Sequence, residues 1–207
     1  MSIPPEIRRL NARAHAAQLA WARRRLADRA AAGAGRDLAP FLRLDGDTDP
    51  VPAAMRAQVD RARRRLDRDW PGTEPLARRG GGRWLRLMRP VIEAAHVRRD
   101  HDRDGWSDLD DPARLAQWRA SWDGAADAGR LELSVLYIGG ELAAYCAAVL
   151  DWPAYRVLDS RMVTAWRRYS PGRVLEAAVI SRLRDSGEFT VLDWGAGGHE
   201  EALIAVT

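Results

Sequence analysis

Apolar positions along the chain follow two different periods. At helical spacing they recur over residues 5–32, 53–69, 83–99, 112–128 and 171–186, the pattern of helices that bury one stripe. In the first, Ile7, Leu10, Ala14, Ala17 and Trp21 form the stripe; in the second, Met55, Val59, Ala62 and Leu66 lie a turn apart. Residues 83–99 carry Trp84, Met88, Val91 and Ala95 beside Leu85 and Ile92, with Pro90 either kinking or starting that helix. Leu115, Trp118, Trp122 and Ala125 face inward on the fourth, capped by Asp110 or Asp111 and ended by Gly129. Short apolar or alternating runs at 41–44, 131–138, 141–150, 154–160, 189–194 and 202–206 read as strands. The Gly139-Gly140 pair makes 131–150 a hairpin. Residues 70–82, with Pro71, Gly72, Pro75 and three successive glycines, read as a mobile loop and a candidate lid. The predicted order is helices, a three-strand meander, a Ser-Pro-Gly turn opening a helix, a central strand and a short last strand: α+β with a mixed sheet.

Residues 169–198 organise the rest. Pro171 suits the first turn of a helix because its missing N–H would be unpaired there anyway. Gly172 allows close approach of a backbone or ligand, and Gly187 stops the helix. A helix tip beside a buried strand presents free N–H groups and the positive end of the helix dipole, which attract phosphates and other anions.

The run Tyr169-Ser170-Pro171-Gly172, an amphipathic helix, and then Val191-Leu192-Asp193-Trp194-Gly195 resembles the second half of GNAT-fold acyltransferases. The similarity is to the branch containing Fem-type aminoacyltransferases and acetyltransferases of the cellulose-biosynthesis type. His96, Arg99, Gly105, Ser107 and residues 131–147 also resemble that branch, in which a histidine–arginine helix precedes a hairpin. The resemblance spans roughly residues 40–200 and has two departures. Glu201 and Ala202 stand where the branch has a Tyr-Lys pair, and only Arg168 and Gly172 remain of the usual phosphate loop. It implies a GNAT-like, mixed but mostly antiparallel sheet flanked by helices over residues 40–207. Residues 1–39 would then form an Arg-rich helical appendage.

The implied activity is N-acyl transfer, with acyl-CoA as co-substrate and a small-molecule amine as acceptor, attacked directly and without a required metal. A Fem-type aminoacyltransferase drawing on aminoacyl-tRNA is the second reading, and a non-catalytic binding protein the third. Acyl transfer to an amine needs a proton acceptor and a hydrogen-bond donor for the developing oxyanion. Asp193, Asp159, His96 and, more weakly, His199 are the candidate bases, and Tyr145 and Tyr169 the candidate proton donors. Arg167, Arg168, Tyr169, Ser170, Gly172 and Arg173 would hold the donor; Arg99, Trp194 and His199 would face the acceptor. His96 and Arg99, three apart, share a helix face.

Charge sharpens this reading. Residues 1–104 carry 23 Arg against 14 Asp and Glu, a balance of +9; the remainder carries 10 Arg against 15 acids, −5. A basic first half suits phosphate-bearing partners, tRNA among them. Every basic residue counted is arginine, which points to genomic base composition rather than to function. Cys146 is alone, so no internal disulfide can form, as expected of a cytoplasmic protein. No apolar run is long enough for a membrane span.

One local pattern points elsewhere. Asp100, Asp102, Asp104, Asp108 and Asp111, with Gly105 in sixth place, fit the oxygen-ligand spacing of a calcium loop, although Asp replaces the usual Glu at position twelve. The plainer alternative is an acidic interhelical loop that caps the next helix.

Overall fold

The structure, a computed structural model, describes residues 41–46, 51, 53–80 and 83–194. The basic first helix, the boundary at residue 39, the last strand at 202–206, and His199 lie outside the described residues. Among the described residues, six strands form one sheet in the order β1-β6-β5-β4-β3-β2. These are β1 Phe41–Arg43, β2 Leu76–Arg79, β3 Leu131–Ile138, β4 Glu141–Asp151, β5 Ala154–Met162 and β6 Val191–Asp193. All neighbours are antiparallel except β5 and β6. The helices are α1 Ala53–Asp69, α2 Arg83–Asp104, α3 Pro112–Asp127 and α4 Pro171–Ser186.

The alternation of side chains along β4 divides the core into two layers. Ala144, Cys146 and Ala148 share one cluster with Met55 and Leu66 of α1 and Val174, Leu175, Val179 and Leu183 of α4. Tyr145 and Ala147 point the other way, into a cluster with Leu85, Met88 and Ile92 of α2 and Trp122 of α3. Helices therefore cover both faces, α1 and α4 on one and α2 and α3 on the other. The apolar stripes read along these helices are buried in the main, but Val91 of α2 is 45% exposed, and on α3 Trp122 and Ala126 are the buried residues while Leu115, Trp118 and Ala125 are half-buried.

Four details differ from the sequence reading. Residues 76–79, read as loop, form the edge strand β2, paired with β3 from Leu76↔Val135 to Arg79↔Glu132; its Arg-Arg end is the charged composition that keeps an edge strand from pairing further. Helix α2 passes through Pro90, whose exposed position lets water serve the carbonyl that loses its bond. It then continues through Asp104, across the first five residues of the loop read at 100–111, and stops at Gly105 in the left-handed region, φ 78°. Strand β6 is short and lies second from the edge rather than at the centre. Phe189, read as its start, instead packs edge-on against Tyr155 with centroids 5.7 Å apart.

Two irregularities open the sheet where α4 begins. Ala147 pairs with Asp159 but Ala148 with Val157, so Leu158 is an extra residue in β5. Such a bulge shifts every later side chain to the opposite face. Val157 accordingly lies in the α4-side core, whereas Asp159 turns toward α2. Beyond Arg156, β5 has no pairing with β6, which covers only Ala154–Arg156. Strand β6 ends there, at Asp193.

Candidate active site

Strands β4 and β5, the start of α4 and the end of α2 enclose a cavity of about 460 Å³. Tyr145 and Cys146 of β4, Ser160, Arg161 and Met162 of β5, and Trp194 just past β6 line it, with Ser170, Gly172, Arg173 and Glu176 at the helix tip. Arg99, Asp100, Arg103 and Asp104 of α2 line the remaining side with Trp106 and Asp108.

Behind the Tyr145 wall lies a buried polar network. The Tyr145 hydroxyl donates to Asp159 Oδ2 at 2.7 Å. His96 Nδ1 lies 2.8 Å from the same oxygen and Nε2 lies 3.0 Å from Asp100 Oδ2. Arg161 donates to Asp159 Oδ1 at 3.0 Å and to Asp100 Oδ1 at 3.2 Å, and Ser107 Oγ donates to Asp100 Oδ2 at 3.1 Å. Each carboxylate is thus held by several donors, the condition under which a buried polar network is rigid. Burial would raise the Asp159 carboxyl, but the His96 hydrogen bond and the Arg161 charge outweigh it and hold it below its usual value. Burial, then the charge of Asp159, push the Tyr145 hydroxyl well above its usual value, so it keeps its proton at neutral pH.

Helix α4 opens on strained backbone. Ser170 sits in the left-handed region at φ 46°, its side chain makes no capping bond, and Pro171 follows as the first helical residue. The first intrahelical bond starts at Val174, whose N–H donates to the Ser170 carbonyl at 3.2 Å, so the N–H groups of Gly172 and Arg173 precede the helical ladder. A methyl group added at Gly172 would meet Met162 Cβ at an ordinary 3.6 Å. The glycine therefore widens the cavity mouth rather than relieving a clash.

Of the residues singled out in the sequence, Tyr145, Arg99, Arg167, Ser170, Gly172, Arg173 and Trp194 line the cavity. His96 and Asp159 do not: at 6% and 7% exposure they stand behind Tyr145 and position it. Asp193 is elsewhere, with its carboxylate taking Arg156 Nε at 3.0 Å beside β5. Arg168 reaches Asp69 at 3.3 Å, and buried Tyr169 donates to the same carboxylate at 3.1 Å while accepting from Trp70 Nε1 at 3.3 Å. That pair ties the start of α4 to α1 instead of facing a ligand.

The calcium-loop spacing is not realised. Asp100, Asp102 and Asp104 lie in α2, and Asp100 is committed to His96, Arg161 and Ser107. Asp108 pairs with Arg114, and Asp110 accepts from the Ser107 N–H at 2.8 Å and faces His101. Asp111 caps α3 by accepting from the Ala113 N–H at 2.8 Å, as the plainer alternative has it. Among the described residues no group of three His, Cys, Asp or Glu could hold a metal ion.

Arg161 and Glu176 are among the cavity residues that the sequence reading missed. Arg161 is reached only through the β5 bulge, which no local pattern announces. Glu176 stands one turn into α4, between the core residues Leu175 and Val179, where it reads as a solvated helix position. Its side chain is 14% exposed and its nearest cation is Arg173, at 3.6 Å. Burial pushes its carboxyl up to about 7, with Arg173 opposing.

The frame of the site is thus a mostly antiparallel sheet covered by helices on both faces, with a cavity at a helix tip. A family model described as an acetyltransferase (GNAT) domain matches residues 53–201, and the chain belongs to that family. Among solved structures it is similar to FemX, at 10% identity and a TM-score of 0.53, covering 77% of this chain and 53% of that one. It is also similar to a tandem GNAT protein from the clavulanic acid biosynthesis pathway, at 16% identity and 0.45, covering 80% and 47%. A conserved protein of unknown function from Bacteroides thetaiotaomicron matches at 13% and 0.49, covering 80% and 53%. At such identity the likeness to FemX speaks to the fold alone, and the chain spans about half the length of the structures it matches. No curated protein matches the chain. Among the described residues no helix is long and apolar enough to cross a membrane.

Proposed function

We propose that the protein transfers an acyl group from acyl-CoA to the nitrogen of a small amine, with direct attack of the amine on the thioester. The observation that carries this reading is the cavity itself, bounded by the α4 tip, Arg167 and Arg173 on one side and by the Tyr145 wall on the other. The diphosphate of the donor fits the helix tip, where N–H groups and two guanidiniums supply positive potential. Its thioester then reaches the part of the cavity between β5 and Trp194, next to Tyr145. That hydroxyl, oriented by Asp159 and His96, is placed to donate toward the carbonyl oxygen or the departing sulfur.

CoA titrated against the full chain should raise Tm, and Arg173→Ala should remove most of that rise. A melting curve indifferent to CoA would discard the reading. The +9 balance of residues 1–104 favours a second source of the acyl group, an aminoacyl-tRNA. In that case total tRNA, and not CoA, should shift Tm, and the shift should fade steeply with salt.

A further inference from the structure

The carboxylates around the cavity differ in what they have left to do. Asp159 and Asp100 are saturated by Tyr145, His96, Arg161 and Ser107. Asp104 and Asp108 stand at the exposed rim, 3.5 Å from Arg103 Nε and paired with Arg114, respectively. Glu176 makes no hydrogen bond among the described residues; its contact is the 3.6 Å approach of Arg173, a residue with further interactions of its own. It is shielded, it lines the cavity, and it sits on the helix whose tip the donor is proposed to occupy.

We infer that Glu176 is the catalytic base of this site, receiving the acceptor's ammonium group and taking its first proton. The inference rests on the acyltransfer reading above. A cavity-lining carboxylate without a hydrogen-bond donor can gain an ammonium as partner, whereas a saturated one cannot. Two protons leave the nitrogen in sequence. The first passes from ammonium to Glu176 and then to solvent. The freed amine attacks the thioester carbon; as the C–N bond forms and the C–S bond breaks, the second ends on the leaving sulfur. The titratable and charged groups that line the cavity with Glu176 are Arg173 on its own helix, Tyr145 and Cys146 from β4, Arg161 from β5, Arg99, Asp100, Arg103 and Asp104 from α2, and Asp108 and Arg167 beyond them. Burial raises the Cys146 thiol, which remains protonated. With Arg161 held by two carboxylates, Arg173 is the cation that acts on Glu176. A carboxyl ionising near neutrality suits a base that must both take and release a proton.

The test uses the full chain with acetyl-CoA and a panel of amines: the common amino acids, ethanolamine, putrescine and spermidine. Free thiol is followed from pH 5.5 to 9, with the Tm shift on CoA measured alongside. The wild type should show a kcat/KM limb rising through about pH 7. Glu176→Gln should lower kcat/KM about 100-fold and erase the limb while keeping the CoA shift. Carbon-13 carboxyl NMR should show one glutamate titrating in that range, lost in the variant. An unaltered rate, a uniform loss that leaves the limb in place, or a normal glutamate titration overturns the inference. So does a wild type that binds CoA but acylates none of these amines. If CoA does not bind at all, the acyltransfer reading beneath it fails instead.

Discussion

Each end of α4 lies by a shielded glutamate where helix meets sheet, and the two are treated oppositely. At the C-terminal end Glu132 of β3 is 0% exposed; it is paired with Arg79 and with Arg182 of α4, and accepts the Tyr155 hydroxyl at 2.8 Å. Phe189 closes this end over Tyr155 and under the Arg79 guanidinium, which lies 5.7 Å from its ring. At the N-terminal end Glu176 faces a cavity with one cation at 3.6 Å and no hydrogen bond. The same helix thus carries a finished ion cluster and an unfinished one. Buried charge that is fully partnered serves as structure, and buried charge left short of partners is available to a ligand.

The largest effect should come from opening the finished end. Glu132→Ala leaves Arg79, Arg182 and the Tyr155 hydroxyl without their shared acceptor. Removing one member of a buried ion cluster costs about 3–5 kcal/mol. Arg79 and Arg182 are 37% and 34% exposed and can turn to water, which places the loss nearer the lower figure. Urea unfolding at neutral pH measures it. A loss below about 1 kcal/mol would mean the cluster is not what fixes this end of α4.

Removing the charge at the open end should have the opposite sign. The Glu176 carboxyl rises from an ordinary 4.5 in the unfolded chain to about 7 in the folded one. The stability this group contributes is therefore fully present below about pH 4.5 and is lost as pH rises through 7. Glu176→Gln should match the wild type near pH 4 and exceed it at pH 8 by about 2–3 kcal/mol. A Tm difference that is flat from pH 4.5 to 8 would show that the carboxyl is not desolvated, and the contrast between the two ends would close.

How much of this contrast the sequence carried follows from the range of each signal. The helices and the β3–β4 hairpin were legible because their apolar stripes repeat within a few residues. Asp111 and Gly129 mark the ends of α3 by cap chemistry that acts on the next turn. The α4 tip was legible through Pro171 and Gly172. The network around His96 and Asp159 was legible as residue types, but its role was not, because the bulge at Leu158 decides which face Asp159 takes and only strand pairing reveals it. Asp193 looked catalytic from its place before a glycine run, yet Arg156, from a neighbouring strand, claims it. Glu132 and Glu176 are indistinguishable in sequence. What separates them is the number of cations that the rest of the fold brings within reach.

The smallest effect concerns the turns that bound α4. Both ends use a residue in the left-handed region, Ser170 at φ 46° and Gly187 at φ 61°. Gly187 holds that conformation without a side-chain penalty, and its N–H closes on the Arg184 carbonyl. Ser170 has a Cβ and no capping bond to offset it, so the open end stores strain of about 1–2 kcal/mol. Ser170→Gly should recover part of this; the wider freedom of glycine in the unfolded chain offsets the rest, leaving a gain of about 0.5 kcal/mol. Gly187→Ala should lose about 1 kcal/mol, because it places a Cβ in the same region at the closed end. The pair of variants, compared by urea midpoint at constant m, reads the strain at each terminus separately. If Ser170→Gly instead destabilises, the serine is held by something the backbone does not show, and the open end of α4 is no less settled than the closed one. If it stabilises while weakening CoA binding, the strain at Ser170 is the cost of holding the Gly172 and Arg173 N–H groups toward the donor before it arrives.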